Sequence, residues 1–188
     1  MADFDAFLKE YGSPINPQRP DTALLSAYER IVPELLSQFW GRIGFAHFAE
    51  GLVWVTNPKP LEEVLKEWVP VKRNQIPAVC VVRSAFGKVI FWFANKFVLL
   101  DVHYNDRFEA GNDTQVLFDV FLTGKDARSG ILQEPLFDRA LRKLGPLAAD
   151  EMYSFKLPIA MGGDRSVKNI IKVKMREQLS ILAQLQKG

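Results

Sequence analysis

Three apolar runs, Ala78-Val79-Cys80-Val81-Val82-Arg83, Lys88-Val89-Ile90-Phe91-Trp92-Phe93 and Phe97-Val98-Leu99-Leu100-Asp101-Val102-His103, follow one another with little more than Gly87 and Asn95-Lys96 as punctuation. Each has strand length and is rich in β-branched and aromatic residues. Connections this short leave room for little but an antiparallel meander. The middle run is apolar at every position from Val89 to Phe93, which marks a central strand covered on both faces, with helices on at least one.

Upstream of the meander, Phe45-Ala46-His47-Phe48 and Leu52-Val53-Trp54-Val55 flank Glu50-Gly51, a hairpin signal with a glycine available for positive φ. Leu61, Val64, Leu65 and Trp68 then repeat at helical spacing until Pro70. Nearer the start, Phe4, Phe7, Leu8 and Tyr11 share one helical face that Gly12 can cap. The proline-rich stretch from Ser13 to Pro20 reads as an ordered crossing loop. A second helix opens at Asp21 or Thr22, and Pro33 kinks or restarts it before Gly41 or Gly44.

Downstream, Asn105 to Asn112 reads as a polar turn region, and Val116–Leu122 and Leu136–Leu141 read as helices. Tyr153-Ser154-Phe155 suggests a strand; Ile171, Val173 and Met175 alternate with lysines as a half-exposed one. Leu179, Leu182 and Leu185 give a final amphipathic helix. The fold class is α+β: antiparallel sheets, with a hairpin near 45–55 and a meander near 78–103, surrounded by helices. The proline-bracketed segment Pro70–Pro77 is too short for a free linker, so it divides the chain into two closely packed halves, 1–74 and 75–188.

The 188 residues are 48% hydrophobic, 24% charged and 12% aromatic, enough to bury a substantial core and incompatible with general disorder. With 24 Lys+Arg against 22 Asp+Glu, the chain lacks the basic excess of a dedicated nucleic-acid binder. Acidic opening residues argue against a secretory signal, and no run is long and apolar enough to span a membrane, so a cytoplasmic protein is expected. The charge is uneven: 14 basic and 18 acidic residues lie in 1–138, and 10 basic and 4 acidic in 139–188. Such polarity either orients a charged partner or merely solvates two surfaces.

Few residues offer chemistry. The single cysteine, Cys80, lies in an apolar run and reads as a buried structural thiol. His47 and His103 each sit in an expected strand without companion ligands, so neither a metal site nor a general base is indicated, and they read as partly buried imidazoles. Gly162-Gly163-Asp164-Arg165-Ser166 has the ingredients of a phosphate cradle but lacks the P-loop pattern, and reads as a structural turn. Trp40, Trp54, Trp68 and Trp92 fall on periodic faces and belong to the core. No nucleophile, base and orienting acid assemble, so no catalytic residue, metal or cofactor is assigned, and the chain reads as a non-enzymatic binding protein.

Tyr11-Gly12-Ser13-Pro14, Tyr28 through Pro33-Glu34-Leu35-Leu36, Phe39-Trp40, Gly44-Phe45, Gly51-Leu52-Val53-Trp54 and Asn57-Pro58 together resemble a GAD-like domain. A second pattern comprises Arg83-Ser84-Ala85-Phe86-Gly87 with Phe91-Trp92, Leu136-Phe137, and Leu144-Gly145-Pro146-Leu147. Asp150-Glu151-Met152-Tyr153-Ser154-Phe155, Met161-Gly162-Gly163 and the last helix complete it. It is similar to the domain that follows GAD-like domains in immunity proteins of type VI secretion DNase effectors. The resemblance implies a cytoplasmic antidote that binds a cognate nuclease encoded by a neighbouring gene and blocks or distorts its active site. It implies a one-to-one complex, with no cofactor, membrane or direct nucleic-acid partner.

A chain with pI near 8.6 is not a wholesale DNA mimic, and a local acidic patch or plugging loops suit its charge better. The acidic region of Asp101, Asp106, Glu109 and Asp113 is the candidate toxin-binding surface. Two other classes stay open. One is an RNA- or protein-binding adaptor using Lys168, Lys172, Lys174 and Arg176. The other is a small hydrolase using a histidine or the Gly162-Gly163 turn.

Overall fold

A computed structural model describes residues 4–73 and 75–186. Seven strands form one antiparallel sheet in chain order: β1 (Ile15–Gln18), β2 (Phe45–Phe48), β3 (Val53–Val55), β4 (Val79–Ser84), β5 (Val89–Phe93), β6 (Lys96–Asp101) and β7 (Asp106–Glu109). The expected hairpin is β2–β3, turning through Glu50 and Gly51 at φ 56° and 98°. The expected meander is β4–β5–β6. Its second turn has Ala94 and Asn95 both at positive φ between paired Phe93 and Lys96, the backbone that matches strand twist in a two-residue loop.

The uninterrupted apolarity of β5 has its cause in what covers the sheet. On one face Val53, Val55, Val79, Ile90, Trp92, Phe97 and Leu99 meet Phe4 and Phe7 at the start of the chain. Leu36 and Phe39 of α3 (Glu34–Ile43), and Leu117 and Phe118 beyond the short helical turn α5 (Thr114–Val116), complete that layer. Phe4, Phe7, Phe39 and Phe118 form a cluster of edge-on and tilted rings with centroids 4.3–5.4 Å apart. On the opposite face Cys80, Val89, Phe91, Leu100 and Val102 meet Leu61, Val64, Leu65 and Trp68 around α4 (Glu62–Trp68). Met175, Leu179 and Leu182 of α7 (Met175–Leu185) close that side. Helices therefore cover both faces. All four tryptophans are buried, as their spacing predicts.

The remaining strands, β8 (Glu151–Phe155) and β9 (Ile170–Lys174), form a separate antiparallel pair after α6 (Glu134–Leu144). The pair is fastened to the meander: the Tyr153 N–H donates to the Ala85 carbonyl at 2.8 Å, and Met152 fills the space over Gly87, where a Cβ would lie 2.3 Å from its methyl. Near the start of the chain, α1 (Asp5–Tyr11) ends at Gly12, and Asp21 caps α2 (Thr22–Tyr28) by accepting the Leu24 N–H at 2.7 Å. Strands β3 and β4 pair directly although the proline-bracketed segment separates them in sequence; Asn74 of that segment lies outside the described residues.

Four local expectations need correction. The stretch from Ser13 to Pro20 is not loop throughout but contains β1, and the polar region from Asn105 to Asn112 contains β7. Both are edge strands with every residue exposed, so neither shows the alternation that burial imposes on an inner strand. Pro17 is tolerated because an edge strand has one side unpaired. Met175 is not the end of β9 but the first residue of α7. His103 lies not in a strand but in the turn after β6.

Candidate functional site

The residues with catalytic potential are scattered and engaged. His103 is buried; its Nε2 lies 2.9 Å from the Phe86 carbonyl and its ring meets Phe155 edge-on. Burial is the main cause that holds its imidazole below the ordinary value. His47 is partly buried against Trp54, and burial, then the nearby Arg83, lowers its pKa as well. Cys80 is fully buried and its thiol is pushed up to about 12, which keeps it protonated and inert. Among the described residues, no group of three or more His, Cys, Asp or Glu is placed to hold a metal ion.

The double glycine serves packing. A Cβ at Gly163 would sit 1.9 Å from the Leu157 carbonyl oxygen, so the loop closes only with glycine there. Asn169 ties the same loop by donating to the Leu157 and Asp164 carbonyls at 3.1 and 2.8 Å. A recess of about 480 Å³ lies beside α2, lined by Leu24, Ala27, Tyr28, Ile31, Glu62 and Val79 among others. There Glu62 accepts hydrogen bonds from Tyr28 and from Lys59 at 3.0 Å. Burial alone would raise its pKa, but these bonds outweigh it and keep the carboxylate ionised. Neither histidine lines the recess.

The four acidic candidates separate into distinct roles. Asp101, at 7% exposure, pairs with Lys88 Nζ at 2.9 Å and accepts the His103 N–H at 3.1 Å. It is an internal anchor. Asp106 stands directly opposite it in the β6–β7 register but is itself exposed. Glu109, at the other end of β7, is exposed and paired with Lys96 at 2.7 Å. Asp113 is exposed and caps α5 by accepting the Val116 N–H at 2.8 Å. The structure thus brings Asp101 and Asp106 together at one end of an edge strand and sets Glu109 at the other, with Asp113 beyond it.

Sequence reasoning missed the apolar members of this surface. Phe108 is 53% exposed at the middle of β7, and Tyr104 is exposed in the turn before it. An aromatic within an acidic, turn-like stretch was the available signal. Two of the lysines of the adaptor reading are committed elsewhere. Lys172 donates to the Pro146 carbonyl at 2.7 Å and Lys174 pairs with Asp150 at 2.7 Å. Lys168 lies in a short turn before β9, outside that strand.

Comparisons with known proteins speak to the family and the fold. Residues 2–104 match the GAD-like domain, a span that includes α1 and the whole meander. Residues 113–186 match the C-terminal domain of the T6SS immunity protein Tdi1. No curated protein matches the chain significantly. Among solved structures, the crystal structure of Atu4351 from Agrobacterium tumefaciens is similar in fold. Its TM-score is 0.81 at 23% identity, over 97% of this chain and 89% of that one. The chain therefore belongs to the GAD-like domain family, and with the Tdi1-type domain that follows it has the architecture of a type VI secretion immunity protein.

Proposed function

We propose that this protein neutralises a type VI nuclease effector by binding it in the cytoplasm, one to one, and blocking or distorting its active site, without catalysis of its own. The observation that carries the reading is the succession of a GAD-like domain and a Tdi1-type C-terminal domain in one chain. The engagement of both histidines and Cys80 within the fold is consistent with a binding role. No helix among the described residues is long and apolar enough to cross a membrane.

The toxin-facing surface in this reading is the β6–β7 region, with Asp106, Glu109 and Asp113 presented to the partner and Asp101 holding the hairpin from within. A nuclease must carry Lys and Arg to grip a polyanion, so an acidic surface both steers the encounter and competes with the substrate. Co-expression with the product of the adjacent gene tests the proposal. Survival of the host and co-purification of a stable complex are expected. A toxic neighbour that kills despite the chain, with no complex recovered, would overturn it.

A further inference from the structure

The two edges of the large sheet are built differently. Edge strand β1 carries Pro17 and holds Asn16 at φ 50°, and its register against β2 is broken between Ile15 and Gln18. Prolines and irregularities of this kind keep an edge from recruiting another strand. β7 has none of them. Its four residues pair with β6 in unbroken register, from Asp101 opposite Asp106 to Val98 opposite Glu109, and all four are exposed.

The direction of the free edge follows from the ladder. Phe97 accepts the Ala110 N–H at 2.9 Å and donates its own to Gly111 at 2.7 Å. Alternation along an antiparallel pair then makes Leu99–Phe108 and Asp101–Asp106 the bonded positions, and turns the N–H and C=O groups of Arg107 and Glu109 outward. The Arg107 guanidinium is drawn back onto the Trp68 carbonyl, and Lys96 is matched to Glu109. Asp106 and, just beyond, Asp113 leave the rim acidic, and Phe108 offers an aromatic surface beside the free backbone.

We infer that β7 is a docking edge for one occupant, an extended, Lys/Arg-rich segment of the nuclease effector, which adds to the sheet as an eighth strand. Backbone pairing supplies the contact and the acidic rim selects a basic strand. The inference rests on the immunity role and specifies how the partner is held.

Residue-resolved amide hydrogen exchange on the full chain tests it, alone and bound to the catalytically inactivated effector encoded beside it. The amides of Arg107 and Glu109 should slow by about 100-fold or more on binding, because an unpaired edge N–H exchanges freely and a laddered one does not. Glu109→Pro removes an outward N–H without touching the ladder to β6. It should weaken binding by about 10-fold or more, while the free variant unfolds within a few degrees of the parent. If that variant does not fold, the exchange measurement on the unaltered chain decides.

A stable complex in which these two amides exchange as in the free protein overturns the docking edge and leaves the immunity role standing. Protection that rises with concentration of the chain alone assigns the edge to a second copy, and overturns it too. Absence of both complex and rescue removes the immunity reading and the edge with it.

Discussion

Arg83 and Trp54 occupy directly opposed positions on β4 and β3, with the guanidinium carbon 4.0 Å from the indole centroid. His47, opposite Trp54 on β2, adds its imidazole as the third member of the row, 4.6 Å from the indole. The Arg83 head also donates to the Ala149 carbonyl at 2.9 Å, joining the sheet to the loop before β8. Burial pushes its pKa down to about 9, so the charge is carried inside the fold at a cost. Arg83→Ala should destabilise the protein by about 3 kcal/mol through lost packing and the lost cation–π contact. Arg83→Met, which fills the same channel without a charge to bury, should cost about 1 kcal/mol. Urea unfolding of the two variants checks the order; equal losses would mean that the charge, not the packing, carries the contact.

The pair of Lys88 and Asp101 predicts a loss of stability, not of binding. Lys88→Met leaves a carboxylate buried without its cation and should cost about 3–5 kcal/mol. Adding Asp101→Leu should recover much of that loss, because the uncompensated charge is gone. Thermal unfolding of the single and double variants reads the coupling. Additive losses would show that the ion pair is not what holds the hairpin.

Charge reversal at the exposed acids separates from this. Asp106→Lys with Glu109→Lys should weaken effector binding and flatten its salt dependence while leaving the free protein folded. At Asp113 the suitable change is Asn, which removes the charge and still caps α5. Titration calorimetry at two salt concentrations provides the measure. Unchanged affinity in the triple variant would make these residues ordinary solvated surface.

His103 makes stability pH-dependent. Its folded pKa is lowered chiefly by burial, so below the ordinary imidazole value of 6.5 the unfolded chain binds a proton that the folded one resists. Stability should therefore fall as pH drops below 6.5 and level off once pH passes beneath the depressed folded value. His47 is shifted in the same direction, so it adds to the slope. His103→Gln should flatten the curve in part, and the double variant with His47→Gln more fully. Denaturation midpoints from pH 5 to pH 8 test this, and an unchanged slope in the double variant would exclude the histidines as its source.

The closed glycine loop predicts that Gly163→Ala destabilises the protein by about 1–3 kcal/mol, since the clashing atom is backbone and cannot swing aside. Thermal unfolding checks it. A neutral outcome would show that the loop opens freely.

What could be read from the chain depended on how many neighbours each element has. β5 is pressed by two strands and two helical layers, so five positions in a row had to be apolar, and the pattern announced itself. β1 and β7 have one strand neighbour each and exposed side chains, and their residues carry no periodic mark. The acidic cluster was visible as composition, but Asp101 looked like its companions. Its burial follows from register: with Phe93 opposite Lys96 and Val89 opposite Leu100, Lys88 falls next to Asp101. The Ala94-Asn95 turn, once recognised as a two-residue loop, would have given that pairing. The row of His47, Trp54 and Arg83 was out of reach, because it is set by the mutual register of three strands that a helix and two turns separate.

The two-faced cover of the sheet bears on how the molecule comes into being. When the ribosome has made β7, all seven strands exist, yet Cys80, Val89, Phe91 and Leu100 still await Met175, Leu179 and Leu182. That face of the nascent sheet thus has only α4 upon it until α7 emerges, and must either be shielded or delay its closure. A shortened product ending after the meander would expose the part of that apolar wall that α7 covers. Closure of the second apolar layer is thereby tied to completion of synthesis through α7.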